Sequence, residues 1–360
     1  MTRRTLIGAA GSAAFAQTVT LPQKIRVGFI GLEQGTHTAD ITAPLDQLPG
    51  VEIVAVAEKD ARLVERFKRN KPRLAAAKTY NDAPGMLDAE KLDVVAVCNT
   101  QGHRAAAIIE CAQRKINVIA EKPLAITREE MQRVKQAVDE SGIKLGTLLT
   151  MRTNPSYKAL KEIVASGVIG EVIQISSQKS YKLGERPDWF KKSESYGSTI
   201  LWIGIHMIDL MRWIGGREYT HASSFMGRVG FPNLGEMETT SSTSFRLDNG
   251  GTATLHMDYC MPDAAPSHGD DRLRLAGTKG IAEYMAATGV TLVTRAAKPA
   301  RVDKLPARGS LFAEYLEYAY NGKPPGLSHA DIYAACDATL AAHEAAINNT
   351  VVPLVEHARF

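Results

Sequence analysis

The 360-residue chain carries 43 Lys and Arg against 39 Asp and Glu, a net charge of +4, and 44% of its residues are hydrophobic. The charges alternate rather than gathering in a basic stripe, which argues against a nucleic-acid partner. Past the N-terminus no stretch is long and apolar enough to span a bilayer, and the length allows two ordinary domains with real cores.

The N-terminus reads MTRRTLIGAAGSAAFAQ. Arg3 and Arg4, a small apolar run and Ala14-Phe15-Ala16 together predict a twin-arginine export signal, so residues 1–22 are set aside as signal or leader and a periplasmic or otherwise exported product is expected. A cytoplasmic leader is the alternative. Cys98, Cys111, Cys260 and Cys336 form no C-x-x-C pair, which predicts free thiols.

From residue 23 to about 150 the pattern is strand, helix, strand. Apolar, β-branched runs at 24–32, 51–58, 91–100, 116–122 and 144–151 alternate with amphipathic segments at 60–70, 102–115 and 127–142, the last opening on a Thr127 N-cap with Glu130 three residues later. This predicts a doubly wound, parallel Rossmann sheet. In such a sheet the first strand-to-helix turn meets phosphate, here "GLEQGTH". Gly31 fits the first position of G-x-G-x-x-G, but Glu33 and Thr36 occupy the second and third and Gly35 is displaced. Gln34, Gly35, Thr36 and His37 remain candidate contacts to a dinucleotide. Glu58 ends the second strand 27 residues after Gly31, where an acid accepts hydrogen bonds from both adenosine ribose hydroxyls and repels a 2′-phosphate. NAD is therefore expected over NADP, and a solvated loop acid is the alternative for Glu58. Asn99 and Thr100 end the third strand and His103 opens the helix after it, further candidate cofactor contacts.

Glu121 and Lys122 close an apolar strand, with Pro123 behind them. The strand aims the lysine into the cleft, where an ammonium beside the nicotinamide stabilises developing alkoxide charge. A surface lysine at a loop is the bland alternative.

Residues 151–360 read differently. Alternating segments at 171–181, 239–259 with an Asn249-Gly250-Gly251 turn, and 271–285 predict antiparallel hairpins. The loop 180–198 brings Tyr181, Arg186, Trp189 and Tyr196 together, a mixture of aromatic platforms and hydrogen-bonding groups suited to carbohydrate, or else a solvated loop. The run STILWIGIHMIDLMRWIGG is a nearly unbroken apolar helix in which Trp202, His206, Asp209 and Trp213 share a face. Asp209 is expected to orient the His206 ring for general-base work, with Trp202 covering its other side; a packed core histidine is the alternative. His268, with Asp270 and Asp271, precedes a strand and is a candidate substrate contact. The three lie too close in sequence to be good simultaneous ligands, so no metal is expected. A last helix at about 328–348 is expected to pack back on the first domain.

With "VGFIGL", "VEIVAVAEKD", "EKPLAI", "PSYKALKEIVASGVIGEV", "GIHMIDLMRW" and "DRLRLAGTKG" in place, the chain resembles the glucose–fructose oxidoreductase, inositol dehydrogenase and MocA group, Gfo/Idh/MocA, over nearly all of residues 24–355. The resemblance implies an NAD-binding Rossmann domain, then a large, mostly antiparallel sheet packed on helices that serves as a homo-oligomer interface. It implies hydride transfer with Lys122 and His206 in catalytic positions, and it sets Trp202 where the family carries an aspartate; an indole there can stack on a sugar ring. The expected activity is oxidation of a secondary alcohol of a sugar, polyol or glycoside by tightly held NAD. The alternatives are a glycosidase or lyase using transient oxidation by the same cofactor, and a non-catalytic binding protein of this fold.

Overall fold

The structure, a computed structural model, describes residues 19–33 and 35–354. Residues 1–18 of the expected 1–22 leader and the candidate Gln34 lie outside the described residues; Val19 already packs in the first domain's core.

Six parallel strands form the first sheet: β1 (Ile25–Ile30), β2 (Val51–Ala57), β3 (Lys78–Tyr80), β4 (Val94–Val97), β5 (Asn117–Ala120) and β6 (Leu145–Thr147), in the order β3-β2-β1-β4-β5-β6. The order reverses between β1 and β4, and the crevice above their carboxyl ends is where such a sheet binds its ligand. Helices cover both faces, so Val94, Val95, Ala96 and Val97 are all buried, and the strands read as continuous apolar runs. β3 escaped the sequence reading because it has three residues on the sheet edge, two of them exposed.

The helix Arg128–Ser141 begins as read: the Thr127 hydroxyl accepts from the Glu130 N–H at 3.1 Å. The Glu130 carboxylate reaches back one residue further than a capping box requires, accepting the Ile126 N–H at 3.0 Å.

The second sheet has nine strands: β7 (Val172–Tyr181), β8 (Tyr219–Gly227), β9 (Thr240–Leu247), β10 (Thr252–Asp258), β11 (Gly269–Gly277), β12 (Gly280–Met285), β13 (Gly289–Thr294), β14 (Ala300–Arg301) and β15 (Val352–Pro353). Their order is β14-β13-β12-β11-β7-β10-β9-β8-β15, antiparallel at every pairing except β7 with β10. The β9–β10 hairpin turns at Asn249-Gly250, where Gly250 has φ +84°. This is the Rossmann plus antiparallel-sheet architecture that the alternation of patterns predicts.

Two helices join the layers. The apolar helix is π-helical over Ile200–Gly204 and α-helical over Ile205–Gly215. Its Met207, Ile208, Leu210, Met211 and Ile214 pack on Ile175, Leu255, Leu273 and Leu275 of the second sheet, while Leu201 and Ile205 enter the first domain's core beside Leu124. Each such side chain contributes roughly 1.5–3 kcal/mol on burial, more than enough to carry one histidine and one aspartate inward with it. The helix His329–Asn348 divides likewise: Ile332, Cys336 and Leu340 face the first core, Ala338 and Ala342 the second. Among the described residues no helix is long and apolar enough to cross a membrane, and all four cysteines are free.

Candidate active site

The first turn is built on a close approach. Gly31 has φ +77°, and a Cβ there would lie 2.6 Å from the Asn99 Cα, so β1 and β4 meet at a distance that only glycine permits. Glu58 closes the other side, its carboxylate accepting the Leu32 N–H at 3.0 Å and the Asp60 N–H at 2.9 Å. The Asn99 Oδ1 is buried without a partner while its amide donates to the His103 carbonyl at 3.0 Å. Thr100 holds the His103 ring through its hydroxyl, 2.9 Å from Nδ1.

These residues fit the adenosine half of a dinucleotide. The pyrophosphate turn departs from the glycine pattern. The Thr36 hydroxyl bonds back to the Glu33 carbonyl at 2.8 Å, and the following helix is only Thr38–Thr42, giving way to a 3-10 turn that Pro44 opens. Burial, and then the Glu58 carboxylate, raise the Glu33 pKa.

At the end of β5, Glu121 and Lys122 are buried. Burial would raise the Glu121 pKa, but His37, Lys122 and Arg104 outweigh it and bring the carboxyl to about 2. His37 binds it through its backbone N–H and through Nδ1, 3.0 Å from Oε1. The Lys122 ammonium donates to the Trp202 carbonyl at 2.6 Å and lies 3.6 Å from the centroid of the Trp202 ring. Burial pulls its pKa down to about 7, with Glu121 opposing and Arg104 and Lys179 assisting.

The π-helical turn supplies the opposite wall. His206 is buried, its ring edge-on to His37 at 5.2 Å, and its Nδ1 has no partner. Burial first, then Lys122, His37 and Lys179, hold its pKa well below the ordinary imidazole range. The contacts close a ring from Glu121 through His37 to His206, back along the helix to Trp202, and from there to Lys122. Residues from three distant segments therefore enclose one buried, polar centre, with a neutral imidazole facing an ammonium.

Two expectations for this helix are corrected. Asp209 does not orient His206: Arg152, on the turn after β6, takes its carboxylate with Nε at 2.7 Å and Nη2 at 2.6 Å, both groups being buried. A guanidinium fork is a stronger partner for a carboxylate than a neutral ring. Trp202 presents no open face for stacking a sugar and makes no ring contact with His206. It is 5% exposed, Lys122 covers its ring, and Trp189 and Phe190 pack against it with centroids 5.4 and 5.3 Å away. Gly35 packs on the same ring, since a Cβ there would lie 3.4 Å from Trp202.

The other substrate candidates gather on the sheet side. Tyr181 lies 5.1 Å from the exposed His268 ring, with the Lys179 ammonium 4.8 Å from its own centroid. Arg186 stacks over Tyr259 at 4.7 Å, and Trp189 lies against Phe190 at 4.0 Å with its indole N–H buried and unpartnered. No group of His, Cys, Asp and Glu able to hold a metal ion occurs among the described residues.

Three residues escaped the sequence reading. Arg104 is fully buried and donates to the carbonyls of Pro123, at 2.7 Å, and Asn99, tying the Glu121-Lys122-Pro123 turn to the end of β4. Its signal was an arginine immediately before the apolar run Ala105–Ile108, where a charge is almost never buried unless paired. Arg152 and Lys179 are buried bases salt-bridged to Asp209 and Asp271, the second pair at 3.0 Å. Lys179 stands in an alternating strand, and nothing in the sequence reports which side is inward.

Comparison with known proteins agrees with this geometry. Residues 25–148 match the profile of the oxidoreductase family with an NAD-binding Rossmann fold, and residues 157–283 match the Gfo/Idh/MocA C-terminal domain. The myo-inositol 2-dehydrogenase of Thermotoga maritima is 29% identical over 198 residues, 54% of this chain and 56% of that one. The D-apiose dehydrogenase of Paraburkholderia graminis is 23% identical over 235 residues, 65% of this chain and 60% of that one. The matched stretch thus spans little more than half the length of these relatives. A solved structure from Thermotoga maritima superposes with a TM-score of 0.85 at 29% identity, covering 92% of this chain and 100% of the other. The chain belongs to the Gfo/Idh/MocA oxidoreductase family, with an NAD-binding Rossmann domain.

Proposed function

We propose that this chain oxidises a secondary alcohol of a sugar, polyol or glycoside, with Lys122 and His206 as its catalytic pair. The observation that carries the reading is the buried ring joining Glu121, His37, His206, Trp202 and Lys122 above the dinucleotide crevice. Bound NAD would supply the acceptor for the carbon-bound hydrogen. Gly31, Glu58, Asn99 and Thr100 would hold its adenosine half. Lys122 holds the substrate oxygen and stabilises negative charge as it develops there. His206, neutral at physiological pH, takes the hydroxyl proton. Asp209 is removed from the proton path by Arg152 and fixes the helix that carries His206.

The reading includes export by the twin-arginine signal at Arg3 and Arg4, a tightly held cofactor, since that route carries folded proteins, and a homo-oligomer through the nine-stranded sheet. Denaturing the purified mature protein is expected to release NAD, and a sugar and polyol panel is expected to raise the reduced-nicotinamide absorbance. Absence of nucleotide refutes the tight binding. Aglycone release from a nitrophenyl glycoside without net reduced cofactor refutes simple dehydrogenation. The mass of the mature N-terminus tests cleavage after Ala16.

A further inference from the structure

Charge is unevenly matched around the proposed substrate site. The Arg186 guanidinium stacks on Phe190 and Tyr259, 5.3 and 4.7 Å from their centroids. It donates one hydrogen bond, from Nη2 to the Lys182 carbonyl at 3.2 Å, and its Nε is buried without a partner. Among the described residues no carboxylate pairs with it. The Lys182 ammonium donates two of its three N–H groups, to the carbonyls of Asp263 and Ala265 at 2.7 and 2.6 Å, and has no ion-pair partner among the described residues. Lys179 is matched by Asp271.

Both imidazoles of the site register this imbalance. Beyond burial, the groups acting on His268 are Arg186, Lys182 and Lys179 against the single carboxylate of Asp271. Those acting on His206 are Lys122, His37 and Lys179, and the carboxylate beside them, Glu121, is taken by His37. A base in such a place meets a like-charged field on taking a proton. Asp209, three residues along the same helix, is bound by Arg152 and does not relieve it.

We infer that the substrate supplies the missing anion: it is a sugar or polyol acid, a uronate or aldonate, whose carboxylate pairs with Arg186. A planar guanidinium with unused donors matches a carboxylate. A phosphate dianion would call for a second uncommitted cation, whereas Lys179 is paired with Asp271 and Lys182 has a single N–H left beyond the two backbone carbonyls it binds. The inference rests on the hydride-transfer reading for the identity of the site but is tested apart from it.

The experiment is calorimetric titration of the purified, nucleotide-loaded chain with matched probes: glucose, glucuronate, gluconate and glucose 6-phosphate, then galactose and galacturonate. A carboxylate probe is expected to bind at least about thirtyfold tighter than its neutral partner, the worth of one charge-assisted pair, with the preference shrinking as salt is added. Arg186→Gln is expected to bring the two dissociation constants together, and Arg186→Lys, which keeps the charge but not the fork, to restore part of the gap. Equal binding of acid and neutral sugar, tighter binding of the phosphate, failure of every acid to bind at millimolar concentration, or a preference that survives Arg186→Gln would each overturn the inference. Cofactor reduction is read in parallel. Reduction by neutral sugars as efficiently as by acids defeats this inference alone, whereas an acid preference in binding without any reduction defeats the hydride-transfer reading alone.

Discussion

Replacing Lys122 with methionine separates what this residue does for activity from what it costs the fold. Lys122 is 2% exposed, and its pKa falls from the ordinary 10.5 to about 7. At roughly 1.36 kcal/mol per unit, the charged form is disfavoured in the fold by about 5 kcal/mol. Methionine removes that penalty but leaves the Trp202 carbonyl without its donor, a loss of about 1–3 kcal/mol. Lys122→Met is therefore expected to stabilise the nucleotide-free protein by about 2–4 kcal/mol at or below pH 7. Between about pH 7 and 10.5 the unfolded chain binds a proton that the fold has released, so wild-type stability rises with pH across that window. The advantage of the variant should shrink over the same range and become a deficit near its top. Urea unfolding from pH 6 to 10 measures this, and turnover should fall at least about a hundredfold in parallel. A variant less stable than wild type at pH 7, or one whose advantage does not depend on pH, would refute the account of a desolvated, charged lysine at this position.

Gly31→Ala should reduce NAD affinity and cost more than about 2 kcal/mol, because its Cβ meets the Asn99 backbone at a positive φ; calorimetry and urea unfolding read the two effects. Asp209→Asn leaves the buried Arg152 with only the Asp331 carboxylate, at 3.5 Å, and should cost about 2–3 kcal/mol, less than a fully unpaired charge, yet it should not shift the acid limb of the kcat/KM profile, since Asp209 does not touch His206. The profile of kcat/KM for the free enzyme should fall as pH rises through about 7, where Lys122 loses its charge, and should show no His206 limb near 6.5, because that ring is neutral well below it.

The sheet architecture was legible because buried parallel strands and half-exposed antiparallel ones impose different periods, as the runs at 94–97 and 252–258 show. Glu121 and Lys122 were legible as polar residues closing an apolar strand, and His206 as a ring in a helix that had no other use for one. The partnerships were not. Helical spacing brought Asp209 within reach of His206, but its choice of Arg152 is a tertiary outcome decided by a turn 57 residues earlier. Trp202 was read as a platform because it stands at a site position; its burial follows from Phe190, Trp189 and the Lys122 ammonium, which periodicity does not bring together. His37, a candidate dinucleotide contact by its place after the first turn, has its ring turned onto Glu121 and His206.

The central claim, direct hydride transfer at the Lys122–His206 centre, is tested most directly by following an isotope. The nucleotide-loaded protein is mixed with sugars and sugar acids deuterated at carbon, and the nicotinamide is analysed by mass spectrometry after one turnover. The account predicts one deuterium at nicotinamide C4 in the wild type and almost none with Lys122→Met, even though that variant retains its nucleotide. Substrate conversion with an unlabelled nicotinamide, or equal labelling in the variant, would contradict it.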